Sequence, residues 1–349
     1  MSTIPGEIEA LLTRTVELGA SDLHLSSRST AVIRIDGELH SQPNSVISAT
    51  SLKALVNHVN PKLLERLEAK GDCDFSFSHG PTSRFRVNAF KERGELTLAI
   101  RLLNSEIPSM DELNLPEVVK NWPRKGTGLV IVTGPTGSGK STSVASMVNE
   151  INTNMERHIV TIEDPVEYLL PPSKSTVRQR EIGVDASDFA TAVRAGLRED
   201  VDVMVIGEMR DLETISAAIT VAETGHLVFA TLHTSSAAMA IDRMIDAFEP
   251  AEQPLIRSRL SSCLLGVMYQ RLLPAASGGR IAAYEVLAGS SAVRNLIRDG
   301  KTHQIPNVIS TARGEGMQLL IDAIDGLLDL GLITREDASD FVEANLRGR

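Results

Sequence analysis

The stretch LVIVTGPTGSGKSTSVASMVNEIN, residues 129–152, decides the fold. Leu129 to Val132 are aliphatic, as a buried parallel strand requires. Gly134-Pro135-Thr136-Gly137-Ser138-Gly139-Lys140-Ser141 then fits G-x-x-x-x-G-K-[ST] at every fixed position. Beyond it, Val144, Met147, Val148 and Ile151 recur at helical spacing. The glycines therefore join the end of a strand to the start of a helix. There the backbone can curl so that its N–H groups face phosphate oxygens, and the helix terminus adds about half a positive charge. The pattern predicts that residues 134–139 cradle the phosphates of ATP and that Lys140 reaches its β- and γ-phosphates. Ser141 would ligate Mg²⁺, with Thr142 beside it in the first helical turn.

Outward from this loop, strand-like runs at 128–133, 158–162, 202–206 and 227–232 alternate with helices, the pattern of a parallel sheet covered on both faces. This α/β region spans 126–349 and is expected to become mostly helical after about residue 250. Residues 1–103 have a different texture. A helical segment precedes alternating runs such as AVIRIDGELH, with a hairpin turn at Asp36-Gly37, and later CDFSFS, SRFRVNAF and ELTLAIRLL. They predict a small α+β domain. Residues 104–125, with three prolines and several acids, are expected to form a linker carrying one short helix.

Composition excludes several classes. At 42% hydrophobic and 23% charged, the 349-residue chain is ordinary for a globular protein. A formal charge of −10 argues against broad nucleic-acid binding, and aromatics at 3% leave little for base stacking. Two cysteines, Cys73 and Cys263, supply neither a disulfide framework nor a four-thiolate zinc site. No run reaches the ~18 apolar residues of a membrane span, and no secretory signal is visible, so a cytoplasmic location is expected.

Three further segments carry chemistry. In TIEDPVEY, Glu163 and Asp164 stand at the C-terminal end of a strand, where α/β sheets bind ligands. In DVMVIGEMRD, Glu208 follows a strand and a glycine, at the place where a P-loop enzyme keeps the acid of its Mg²⁺ shell. In GHLVFATLHTSSA, His226 and His233 bracket a strand. Seven residues extend over roughly 20 Å, so the two cannot share one metal. His233, toward the strand's C-terminal end, is either a γ-phosphate sensor or a structural hydrogen-bonding group. Arg84, Arg86 and Arg101 lie on small-domain strands, either as solvated side chains or as arginine fingers for a neighbouring subunit; Arg194, Arg198 and Arg210 are rival candidates.

Taken together, ASDLHLS, IRIDGEL, SRFRVNAF, GPTGSGKST, TIEDPVEY, the run from REDVDVMVIGEMRD to LHTSSA, and AVRNLIRDGK resemble the type IV pilus twitching-motility retraction ATPases of the type II/IV secretion superfamily. The resemblance covers nearly the whole chain. It implies an N-terminal PAS-like domain, a RecA-like ATPase domain and a homo-hexameric ring using ATP and Mg²⁺. It makes Glu163 the general base, Glu208 an atypical Walker B acid, and His226 and His233 members of a nucleotide-site His box. Arg86 and Arg101 match positions that contact phosphates. It also implies an inner-membrane pilus platform protein and a paralogous pilus ATPase as partners, no nucleic acid, and a peripheral place at the inner face of the cytoplasmic membrane. Pilus-assembly or secretion motors, and a low-turnover nucleotide-gated ring, are the alternative readings. In AVRNLIRDGK, Val293, Leu296 and Ile297 form an apolar stripe, which leaves Arg294 and Arg298 as expected coupling residues on the polar side.

Overall fold

The computed structural model describes residues 3–35, 37–80, 83–103 and 106–339. Asp36 of the expected hairpin turn, residues 104 and 105 of the expected linker, and residues 340–349 lie outside them. The chain divides into two units, Met1–Glu106 with Pro165–Leu169, and Ile107–Asp164 with Leu170–Arg349.

In unit 1, helix α1 (Gly6–Glu17) precedes strands β1 (Asp22–Ser26), β2 (Ser29–Ile35) and β3 (Glu38–Ser41). Helices α2 (Ala49–Val59) and α3 (Lys62–Lys70) and strands β4 (Asp72–His79), β5 (Ser83–Glu92) and β6 (Glu95–Leu103) follow. The strands form one antiparallel sheet ordered β3-β2-β1-β6-β5-β4. Alternation sorts its residues: Leu23, Leu25, Phe85, Val87, Leu98 and Ile100 are buried against the helices' Ile8, Leu12, Leu52 and Leu55. The register sets Arg86 opposite Arg101, Arg101 opposite Asp22, and Asp22 opposite Arg34, a transverse polar row.

Unit 2 begins with α4 (Glu117–Lys120), β7 (Gly128–Thr133), α5 (Lys140–Asn154), β8 (His158–Glu163) and β9 (Thr176–Glu181). Next come α6 (Phe189–Gly196), β10 (Val203–Ile206), α7 (Leu212–Glu223), β11 (Leu227–Leu232), α8 (Ala237–Asp246) and α9 (Gln253–Cys263). It ends with β12 (Leu264–Pro274), β13 (Arg280–Ala288), α10 (Ser291–Arg298), α11 (Ile305–Thr311) and α12 (Leu320–Asp329). The sheet order is β13-β12-β7-β11-β10-β8-β9, parallel except for β13 at its edge. Strand β7 is buried on both faces. It sends Val130 and Val132 to one core with Val144, Met147 and Val148 of α5, and Leu129 and Ile131 to another with α6 to α11.

Two expectations change. Much of the expected linker is core: Met110, Leu115, Val119 and Trp122 are buried with β7 and α5. Its prolines and acids hid the apolar residues, which follow no single period. The region after 250 does hold helices, but also the long hairpin β12–β13. A nearly continuous apolar run such as LLGVMYQRLLP has no periodicity that separates a buried strand from a helix.

Candidate active site

The loop at residues 134–139 follows β7 and enters α5 at Gly139, where φ is +86°. Gly134 has φ +150°, and a Cβ there would lie 2.4 Å from the carbonyl oxygen of Gln270. A side chain at Gly139 would meet the Gln270 amide nitrogen at 2.8 Å. Backbone conformation and close approach by β12 thus both demand glycine at the first and last glycine positions of the motif.

Lys140 is buried, and its Nζ donates to the carbonyls of Gly134 and Pro135, both at 2.9 Å. It also stands 3.5 Å from Nδ1 of His233. Nε2 of His233 is 3.3 Å from Oε1 of Glu208, whose Oε2 is 2.7 Å from Nη2 of Arg210. Lysine can only donate and a carboxylate only accept, so a neutral imidazole with its proton on Nε2 satisfies both contacts. Burial and the Lys140 charge lower the pKa of His233, against the opposing pull of Glu208. Burial pushes the Glu208 carboxyl up, but the Arg210 hydrogen bond and the charges of Arg210, His233 and Lys140 outweigh it and hold its pKa below the ordinary value. Four charged or titratable groups from the ends of three different strands therefore form one chain.

Topology explains the convergence. β11 lies between β7 and β10, and all three run parallel, so their C-terminal ends present the phosphate loop, His233 and Glu208 along one edge. The hydroxyl of Thr133 bonds that of Thr234 at 2.9 Å and accepts from its N–H at 3.0 Å, tying the loop after β7 to the loop after β11. Thr231 Oγ1 donates to the Gly207 carbonyl, fixing the residue before Glu208. Strand β8 brings Glu163 to the same edge, beside Gly207, whose N–H donates to Ile162 at 2.8 Å. Oε1 of Glu163 accepts from Thr161 at 2.6 Å and Gln179 at 3.2 Å.

The residues fit a nucleotide with Mg²⁺. Gly137 has open space where a side chain would sit, Thr136 and Ser141 are exposed, Thr142 is half-buried, and the buried Ser138 hydroxyl has no partner. Among the described residues no cluster of three or more His, Cys, Asp or Glu could hold a metal ion. The Ser141 hydroxyl with phosphate oxygens and water is the donor set a P-loop offers.

Within the sheet of unit 2, one expected residue lies away from this edge. His226 precedes β11 at the opposite edge of the sheet. Its carbonyl accepts from Gly128 at 2.9 Å, and Nδ1 lies 3.0 Å from the Val221 carbonyl and 3.1 Å from the Thr224 hydroxyl. Six strand residues at about 3.3 Å each separate it from His233. Within this chain's sheet His226 therefore lies away from His233 and anchors the turn after α7. Arg86 and Arg101 belong to unit 1, where Arg86 lies 3.7 Å from Glu167 and Arg101 donates to Asp22 at 2.9 Å. Arg84 donates to the Val166 carbonyl at 3.0 Å and to Ser76.

Residues 2–278 match the family described as Type II/IV secretion system protein. The chain belongs to that family. The Pseudomonas aeruginosa type IV pilus retraction ATPase PilT is 44% identical over 96% of this chain and 97% of its own. The Neisseria gonorrhoeae twitching motility protein is 42% identical over 88% of this chain and 83% of its own. A crystal structure of the pilus retraction motor PilT with bound ADP superposes with a TM-score of 0.88 at 44% identity, covering 95% of this chain and 96% of that one. The resemblance to retraction ATPases seen in the sequence is thus borne out. Among the described residues no helix is long and apolar enough to cross a membrane.

Sequence reasoning missed Gln179 and Gln270, which support the family's motifs from other strands. A lone glutamine inside an apolar run was the available signal for Gln270.

The same reasoning misplaced Arg294. Its guanidinium donates to the carbonyls of Gly289, Ser262 and Leu264 at 2.9, 2.8 and 3.0 Å, so it is a clamp, whereas Arg298 is exposed.

Proposed function

We propose that this protein is an ATP-hydrolysing, homo-hexameric motor that powers type IV pilus retraction. The observation that carries the reading is the joined set of Lys140, His233, Glu208 and Arg210 beside a strand–glycine loop–helix phosphate cradle, in a chain that matches PilT over nearly its whole length.

Each residue's part follows from its chemistry. Loop N–H groups and Lys140 bind the β- and γ-phosphates, and Ser141 and Thr142 present hydroxyls at the helix start. Mg²⁺, when bound with the nucleotide, neutralises charge on the phosphate oxygens. Glu208, kept ionised by Arg210, holds or orients the water shell of that ion. Glu163 stands at the end of the neighbouring strand, oriented by Thr161 and Gln179, and accepts the proton of the attacking water. His233 lies between lysine and acid and registers the arrival of the γ-phosphate. Arg86 and Arg101 complete a phosphate site as planar forks that spread the developing charge, and the oligomer is the setting in which they do so.

Force passes to an inner-membrane pilus platform protein, with a paralogous pilus ATPase as a second partner. The protein works at the inner face of the cytoplasmic membrane, held there through these partners. The test is the pilus phenotype of a deletion strain. Accumulated, non-retracting pili support the reading; absent pili assign the chain to the assembly or secretion motors. A folded wild-type protein without ATP turnover would leave only a nucleotide-gated ring.

A further inference from the structure

Gln270 lies on β12, is 3% exposed, and stands directly behind the phosphate loop. Its Nε2 donates to the Ser138 carbonyl inside the loop at 2.6 Å. Its Oε1 accepts from the Ser143 hydroxyl in the first turn of α5 at 2.8 Å. One amide therefore spans the loop and the helix that the loop feeds. Its own backbone carbonyl fills the space a side chain at Gly134 would need, and its Nε2 fills the space at Gly139. The motif's glycines are shaped around this residue.

The contacts extend through the hairpin. Gln270 pairs with Tyr284 on β13. The Tyr284 hydroxyl donates to the Leu113 carbonyl at 2.8 Å and is in hydrogen-bond contact with Ser143. The next pair in the register is Tyr269 and Glu285. Successive strand residues face opposite sides of a sheet. Glu285 accordingly reaches the other helical layer, where Oε1 accepts from the Ala237 N–H at 2.7 Å, at the start of α8. That helix begins four residues beyond His233. The hairpin thus holds the phosphate loop from one face and the segment after His233 from the other.

We propose that Gln270 is a positioning residue of the phosphate site, whose side-chain amide holds the loop in the shape that aims its N–H groups at the nucleotide. This rests on the ATPase reading. A glutamine serving only to fill the core would have its amide satisfied by any neighbours. Here both partners belong to the nucleotide-binding motif and its helix, and both are buried, so losing the amide takes the donor from the Ser138 carbonyl and leaves Ser143 only its contact with Tyr284. The loop can then relax by rotating the Ser138 peptide, which misaims the N–H groups beside it.

The test compares Gln270→Met, Gln270→Glu and Ser143→Ala with wild type. Readouts are ADP affinity by calorimetry, kcat and KM for ATP, and thermal unfolding. Methionine keeps the length and removes both hydrogen bonds. Glutamate keeps the acceptor for Ser143 and loses the donor to Ser138. Ser143→Ala removes one partner mildly. Gln270→Met should weaken ADP binding and raise KM by about tenfold or more, because both hydrogen bonds that fix the loop are lost. Gln270→Glu should do at least as much, because its charge also faces the phosphates, and Ser143→Ala should do less. Ser143→Ala combined with Gln270→Met should fall short of the sum of the single effects. A lowered melting temperature with ADP affinity and KM within twofold of wild type would overturn the proposal and leave Gln270 a core residue. If Gln270→Met does not fold, the other two variants decide by the same criterion. Absence of nucleotide binding by wild type would instead overturn the ATPase reading.

Discussion

Arg294 gives the most demanding prediction, because its contacts contradict the role its helical position suggests. The three carbonyls it binds mark the end of α9, the start of β12 and the residue after β13. Ser262 lies in the last turn of α9, where carbonyls lack helical partners, so the guanidinium acts as a side-chain cap with a favourable charge. Packing here is close: a Cβ at Gly289 would lie 2.2 Å from the Leu264 carbonyl. Replacing Arg294 by alanine removes three charge-assisted hydrogen bonds. Water can take over at Ser262, which is exposed, so two losses count fully. Allowing for partial hydration, the cost is about 2–4 kcal/mol at roughly 1–2 kcal/mol per bond. At about 3 °C per kcal/mol for a unit of this size, melting should fall by roughly 6–12 °C.

The assay is built in. The chain has one tryptophan, Trp122, buried in the core of unit 2, so its fluorescence follows that unit's unfolding. Arg294→Lys should recover part of the loss, since an ammonium cannot span three carbonyls. Arg298→Ala, at an exposed position, should stay within about 0.5 kcal/mol of wild type. An Arg294→Ala protein that melts like wild type, turns over ATP and fails only in retraction would refute the clamp and restore Arg294 as a coupling residue.

Lys140→Ala should weaken nucleotide binding at least tenfold in a direct titration, because the phosphates lose their buried cation. Glu163→Gln should keep ATP binding and lose about 10²–10⁴ in kcat; normal turnover would transfer the base role to Glu208. Turnover per chain should rise with protein concentration as oligomers form, and Arg86→Lys or Arg101→Lys should not restore it; equal activity in dilute monomer would exclude action across subunits. His233 has a folded-state pKa below its ordinary 6.5, so near that pH the unfolded chain binds a proton the folded chain refuses. Stability should therefore rise with pH from the depressed value up through 6.5 and level off above. His233→Gln should flatten that segment of a urea-unfolding series, and an opposite slope would show that the Glu208 contact dominates.

What could be seen in the sequence, and what could not, follows from the kind of information periodicity holds. The phosphate loop was legible because its glycines, lysine and serine are contiguous and lie between a strand and a helix that declare themselves by apolar spacing. Glu163, Glu208 and His233 were legible as strand-end residues, because parallel strands deliver their C-terminal ends to one edge. Trp122 was hidden because it anchors a segment with no regular period, packed on α5 and β7. Gln270 was hidden because its meaning depends on β12 lying beside β7, a pairing between strands more than 130 residues apart that no local pattern encodes. Arg294 is the instructive failure. An apolar stripe at Val293 and Ile297 shows which face of α10 is buried, but a residue off the stripe is not thereby in water. Helix ends and strand ends expose carbonyls that need donors, and a long cation beside the stripe can reach them while half-exposed. Polar residues flanking a short helix should therefore be tested first as caps for neighbouring elements. On that rule Arg298, which is exposed, is the better place to look for contact with the pilus machinery. Its replacement by alanine should leave melting and turnover intact while reducing retraction, and unimpaired retraction would move the contact off α10.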